Sequence, residues 1–87
     1  MKPKKVNYSP GFVKSLAKFP KSQLRNLATK EEIFRENLFD PRLKTHKLKG
    51  RLEGFYSFSI SYHWRIVFHF EGDEVFFDAA GTHSIYK

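Results

Sequence analysis

From residue 55 to residue 80 large apolar side chains fall on every second position, and a period of two dictates strands rather than helices. Tyr56, Phe58 and Ile60 alternate with Ser57, Ser59 and Ser61, and Trp64, Ile66, Phe68 and Phe70 alternate with Arg65, Val67 and His69. Register decides what such a hairpin exposes, because a slip of one residue sends every side chain to the opposite face. A two-residue turn at Tyr62-His63 would set Ile60 opposite Arg65 and leave Trp64, Ile66, Phe68 and Phe70 facing the serines. A three-residue loop, Ser61 to His63, pairs Ile60 with Trp64 and Ser59 with Arg65, so that the large apolar residues share one face. The second register is the one predicted. Gly72-Asp73 then turns the chain into a last strand, with Val75, Phe77 and Ala79 predicted on the core face and Phe76, Asp78 and Ala80 on the other.

Upstream the period changes. Val6 and Tyr8 suggest a short first strand, ended by Ser9-Pro10, a helix cap followed by a proline at the first helical position. Phe12, Val13, Leu16 and Phe19 recur at helical spacing until Pro20. A second amphipathic helix is predicted from about Lys21, with Leu24, Leu27, Ala28, Phe34 and Leu38 along one side, ending before Asp40-Pro41. Thr29-Lys30-Glu31-Glu32 has the form of a capping box that would split this helix, and the sequence leaves both versions open. The expected class is α+β: a strand, two helices, and a C-terminal three-stranded antiparallel meander packed on them. Residues 1–87 are read as a single domain, since 87 residues hold one core. Ten Phe, four Tyr and one Trp enlarge that core, because each ring buries roughly 150 to 250 Å².

The net charge is +7, but it is divided unequally. Residues 1–51 carry fourteen of the sixteen Lys and Arg and four of the nine acids, so the first part is +10 and the rest −3. The run from Arg42 to Arg51, with Lys44, His46, Lys47 and Lys49 inside it, is the densest. A short basic run is most often a solvated connection, whereas the chain-wide excess points to a polyanion or an acidic protein as partner. The absence of cysteine excludes disulfides, thiolate metal sites and cysteine nucleophiles. No apolar run approaches the roughly 20 residues of a membrane span. The expectation is a soluble, cytoplasmic protein without a membrane partner.

In the predicted register the outer face of the meander carries Ser57, Ser59, Arg65, Val67, His69, Phe76 and Asp78, and the end of the last strand brings His83 beside His63 and Arg65. The basic connection with His46 borders the same face, and Tyr86 follows closely. Cleaving RNA without a metal needs a base for the 2′-hydroxyl, an acid for the leaving 5′-oxygen and a cation for the phosphorane charge. Imidazole serves in either proton-transfer role and Arg binds phosphate through two parallel hydrogen bonds. His46 and His83 suit the first two roles and Arg65 the third, with His63 and Tyr86 assisting. Lys44, Lys47, Lys49 and Arg51 would hold the RNA backbone, and Trp64, Phe76 or Tyr86 could stack on a base. For any one histidine taken alone, a surface role is the commoner outcome, and His69 is read that way. Arg65 has a structural alternative too, an ion pair with Asp78. A metal held by His46, His63 and His83 lacks the usual ligand spacing, and no metal or other cofactor is expected.

Taken together, the element order, Leu48-Lys49-Gly50, the strand Trp64-Arg65-Ile66-Val67-Phe68 and the closing Gly81-Thr82-His83-Ser84 resemble the RelE/ParE toxin superfamily, nearest its YafQ-like branch. The resemblance implies a bacterial type II toxin, a ribosome-dependent mRNA endoribonuclease (mRNA interferase) held inactive by a cognate antitoxin. It implies contact with ribosome and mRNA, and with operator DNA only as the toxin–antitoxin complex. The alternatives it carries are a non-enzymatic ParE-like gyrase inhibitor and a decayed toxin retaining antitoxin binding. On this resemblance His46, Trp64, Arg65 and His83 match site positions of the branch. Ser59 stands where the branch has a further histidine, His63 where it has aspartate, and Ala79 where it has arginine.

Overall fold

In the computed structural model, which describes residues 1 to 82 and residue 85, a five-stranded sheet is covered on one face by two helices. The strands are β1 (Lys5–Tyr8), β2 (His46–Lys47), β3 (Tyr56–Ser59), β4 (Arg65–Glu71) and β5 (Glu74–Gly81), in the order β1-β5-β4-β3-β2. The predicted meander is its centre. β1 joins β5 in parallel, the one parallel pairing among the described residues, and β2 adds antiparallel to β3. β2 goes beyond the sequence expectation: two residues inside a basic run have no alternation from which a strand could be read.

The two helices are α1 (Pro10–Leu16) and α2 (Lys21–Glu36). Ser9 caps α1, its Oγ accepting from the Phe12 N–H at 3.1 Å. α2 runs unbroken through Thr29, whose hydroxyl donates to the Arg25 carbonyl at 3.2 Å instead of capping a new helix. It stops at Glu36, so Leu38 enters the core from the following turn. At the β4–β5 turn Gly72 has φ +65°, the value a two-residue hairpin needs at its first central position.

The core is a stack of rings between α2 and the sheet. Phe34 is fully buried, with its centroid 4.7 Å from Phe58, 5.1 Å from Phe68 and 5.3 Å from Phe77. On the outside, Glu31 of α2 accepts from Tyr8 of β1 and from Arg35, whose Nη2 also donates to the Tyr8 hydroxyl at 3.1 Å. This tie holds α2 against the edge strand.

The predicted β3–β4 register is the observed one. Ser59 lies opposite Arg65, and the Ile60 N–H donates to the Trp64 carbonyl at 3.0 Å around the Ser61–His63 loop. The end of β5 differs from the expectation. Phe68 lies opposite Phe77, yet Val67 lies opposite Ala79, so Asp78 is a β-bulge. The extra residue inverts the alternation beyond it. Ala80 is therefore buried in the core opposite Ile66, and Ala79 shares the outer face with Val67. Replacing Phe34 with Ala removes the ring at the centre of three aromatic contacts and is expected to destabilise the fold by about 3 to 5 kcal/mol, read by chemical denaturation.

Candidate nucleic-acid interface

Two pairings in the sheet place polar chemistry on the face away from the helices. His46 of β2 lies opposite Ser57, and Arg65 of β4 lies opposite Ser59. Because Ser57 and Ser59 are two residues apart on β3, their side chains point the same way, and His46 and Arg65 flank them from either side. Arg65 Nη1 donates to the Ser59 hydroxyl, which fixes the guanidinium at the end of this face. Asp78 does not pair with Arg65; the bulge turns it toward His69 instead.

His46 is exposed, and its Nδ1 lies 3.0 Å from the Lys44 carbonyl. A carbonyl oxygen only accepts, so Nδ1 carries the proton of this bond. Lys44 supplies that carbonyl from a left-handed conformation, φ 54° and ψ 39°, rare for a residue with a side chain. Residues held in such conformations tend to cluster at functional sites.

Around the end of β3 that β2 leaves uncovered lies a cavity of about 300 Å³. Lys30 of α2, Arg42 and Lys44 of the connection, and Arg65 line it together with Ser59, Ser61 and Tyr62 of the hairpin. Arg42 is held by Asp40 through two bonds of 3.0 and 2.9 Å. These side-chain bonds first, the Arg42 backbone N–H next, and the charges of Arg42 and Lys30 hold the Asp40 carboxyl down at about 2. Four cations thus face one carboxylate. Such an excess gives this small concave surface a positive potential.

The remaining predicted residues are dispersed. Lys47 and Lys49 line a different cavity with Glu53, Phe55, Tyr56 and Phe70, and Arg51 is exposed on a short 3-10 turn. Trp64 packs on Phe19 at a centroid distance of 4.6 Å, on the helix side of the sheet. Its ring lines a third cavity, of about 430 Å³, between α1 and the end of β5. His63 is exposed in the hairpin loop with its ring edge-on to Tyr62 at 4.6 Å. His83 and Tyr86 lie outside the described residues. Gly81, opposite Arg65, is needed there because a Cβ would sit 2.5 Å from the Ile85 side chain.

Lys30 and Tyr62 are additions that sequence reasoning misses, and Arg42, read there only as the start of the basic run, joins them. Lys30 and Arg42 join the cavity only through tertiary packing, which leaves no local pattern. Tyr62 does leave one: a large aromatic in a three-residue loop cannot reach the core, and its side chain is 84% exposed.

His69 has the structural role read for it. Nδ1 meets Asp78 at 2.7 Å, Nε2 meets Glu71 at 2.9 Å, and the ring stacks on Phe76 at 5.3 Å. The Asp78 bond raises its pKa above the ordinary 6.5, burial opposes, and the Glu71 bond adds to the rise. A raised folded-state pKa contributes stability that is complete below the unfolded value and is lost as pH rises through the folded one. The stability gap between the wild type and His69→Gln should accordingly be larger at about pH 6 than at about pH 9 in thermal unfolding.

Solved structures share this architecture. YafQ from E. coli strain BL21(DE3) superposes with a TM-score of 0.77 at 18% identity, over 93% of this chain and 94% of that one. YafQ in the E. coli DinJ-YafQ toxin-antitoxin complex gives 0.74 at 19% identity, over 92% of each chain. A YoeB/ParE toxin from Agrobacterium tumefaciens gives 0.75 at 15% identity, over 91% of this chain and 98% of its own. No family model and no curated protein sequence matches. The chain has the fold of the RelE/ParE toxins, in the form seen in YafQ.

Proposed function

We propose that the chain is a toxin of a bacterial type II toxin–antitoxin system that cleaves mRNA on the ribosome by metal-free acid–base chemistry. The observation that carries this reading is the placement of His46 and Arg65 on one sheet face, with the His46 Nδ1 committed to the Lys44 carbonyl, so that proton exchange falls to Nε2.

In this mechanism one imidazole takes the proton of a 2′-hydroxyl, and the 2′-oxygen attacks the adjacent phosphorus. The bond from phosphorus to the 5′-oxygen breaks, a second imidazole protonates that oxygen, and a 2′,3′-cyclic phosphate and a 5′-hydroxyl result. His46 and His83 are assigned the two proton transfers, and Arg65 binds the phosphoryl oxygens. His63 and Tyr86 assist. With Ala79 on the outer face, the position that the resemblance gives to an arginine offers only a methyl group, so the phosphate charge falls to Arg65 and its neighbours.

The partner chain is an acidic antitoxin, in keeping with the net charge of +7 and with the DinJ-bound form of the YafQ relative. Operator DNA is bound only by the two together, and the site of action is the bacterial cytoplasm. The methyl group at Ala79 favours one second reading, a ParE-like inhibitor that uses the same fold without cleaving RNA.

Transcript-end mapping after induced expression tests the assignment. Ribosome-dependent cuts are expected, with His46→Ala reducing them by roughly 10² to 10⁴-fold and Arg65→Ala by roughly 10² to 10³-fold. Growth arrest that persists in both His46→Ala and His83→Ala, without cuts, would sink the nuclease, and DNA-damage signalling without mRNA cleavage would point to the second reading.

A further inference from the structure

The cavity beside Arg65 is larger than one scissile phosphate requires. Two of its residues, Ser59 and Arg65, also belong to the outer face with His46, so cavity and face are continuous. Lys30 of α2 and Lys44 of the connection add two cations to Arg65 in the lining of this cavity. At the rim of this extension stands Tyr62, 84% exposed, with its ring against the edge of His63. A ring left in water beside clustered cations and hydroxyls has the composition of a single-stranded RNA site, where phosphates meet Lys and Arg and splayed bases stack on aromatics.

We propose that this cavity is a second RNA subsite, in which Lys30 and Lys44 hold the phosphodiester next to the scissile one on Arg65 and Tyr62 stacks on the base of that nucleotide. The proposal rests on the RNA reading of the outer face and adds to it a place for the flanking nucleotide. Arg42 is the lesser contributor, because Asp40 already engages its guanidinium. Ser59 and Ser61 supply hydroxyls, the latter already donating to Gln23 at 2.6 Å. An acidic peptide would satisfy the same cations, and the antitoxin-binding arm of the test distinguishes it.

Binding of a short fluorescein-labelled 2′-O-methyl RNA to the full chain tests this, since methylation removes the nucleophile and separates binding from cleavage. Tyr62→Ala should weaken binding roughly ten-fold and leave the salt dependence unchanged. Lys30→Gln should weaken it and lower the slope of log affinity against log salt by about 0.7, the value for one phosphate contact on a single strand. Tyr62 is exposed and Lys30 is half-buried, and circular dichroism will report that both variants fold. Lys4→Gln, at the Asp73 end of the sheet, is the charge control and should change neither quantity. If the wild type cleaves no RNA, but binding still depends on Lys30 and Tyr62, the subsite stands and the nuclease reading falls. If both variants bind the RNA like the wild type, the subsite is refuted even with cleavage intact. It is refuted equally if they lose only antitoxin binding.

Discussion

The bulge at Asp78 determines what the two faces of this sheet carry. Without it Phe77 and Ala79 would both point into the core, and Arg65 would lie opposite Ala80. With it Ala80 seals the core against Ile66, and Gly81 comes opposite Arg65, where Ile85 packs close to the strand. A bulge leaves one residue out of the ladder and must satisfy that residue otherwise. Here the Ser9 hydroxyl, which also caps α1, donates to the Asp78 carbonyl at 3.3 Å, and the Asp78 carboxylate holds His69. The N-terminus of α1, the end of β5 and the middle of β4 are thus tied at one point.

That tie explains which parts of the fold are legible in the sequence. The β3–β4 register is, because only one loop length puts Phe58, Ile66 and Phe68 together and leaves Ser59 and Arg65 outside. Ser9-Pro10 marks the start of α1 for an equally local reason. The bulge is not legible: Phe77-Asp78-Ala79-Ala80 offers two small residues in succession, either of which fits the core by size alone, and the choice is made by Ser9 and His69, neither of them adjacent in sequence. β2 escapes for lack of apolar alternation, and the end of α2 is misplaced because Leu38 is buried without being helical.

The candidate site divides in the same way. Arg65 and its face are identifiable from residue type and the hairpin register, whereas His46, identifiable by residue type, joins that face through the β2–β3 pairing that the sequence does not show. The basic run from Arg42 to Arg51 reads as one patch along the chain, but the short strand inside it sends neighbouring side chains to opposite faces. His46 therefore stays with Ser57 on the outer face, while Lys47 goes to the other side with Tyr56 and Phe70; Lys44, before the strand, joins Arg65 through its own left-handed turn. Trp64 follows the core side of its own strand and meets Phe19. In its place Tyr62 offers the open ring, and α2 contributes Lys30, a cation with no local signature.

On this view RNA lies across the outer face from His46 to Arg65 and on into the cavity beside Lys30. Heteronuclear NMR of the full chain, titrated with a non-cleavable 2′-O-methyl RNA, would locate it through the imidazole and guanidinium resonances. Shifts are expected to concentrate at His46, Ser59, Tyr62 and Arg65, with little change at the Gly72-Asp73 turn or along β1. Shifts confined to α1 and β1, with the His46 ring and the Arg65 guanidinium unmoved at saturation, would contradict that placement.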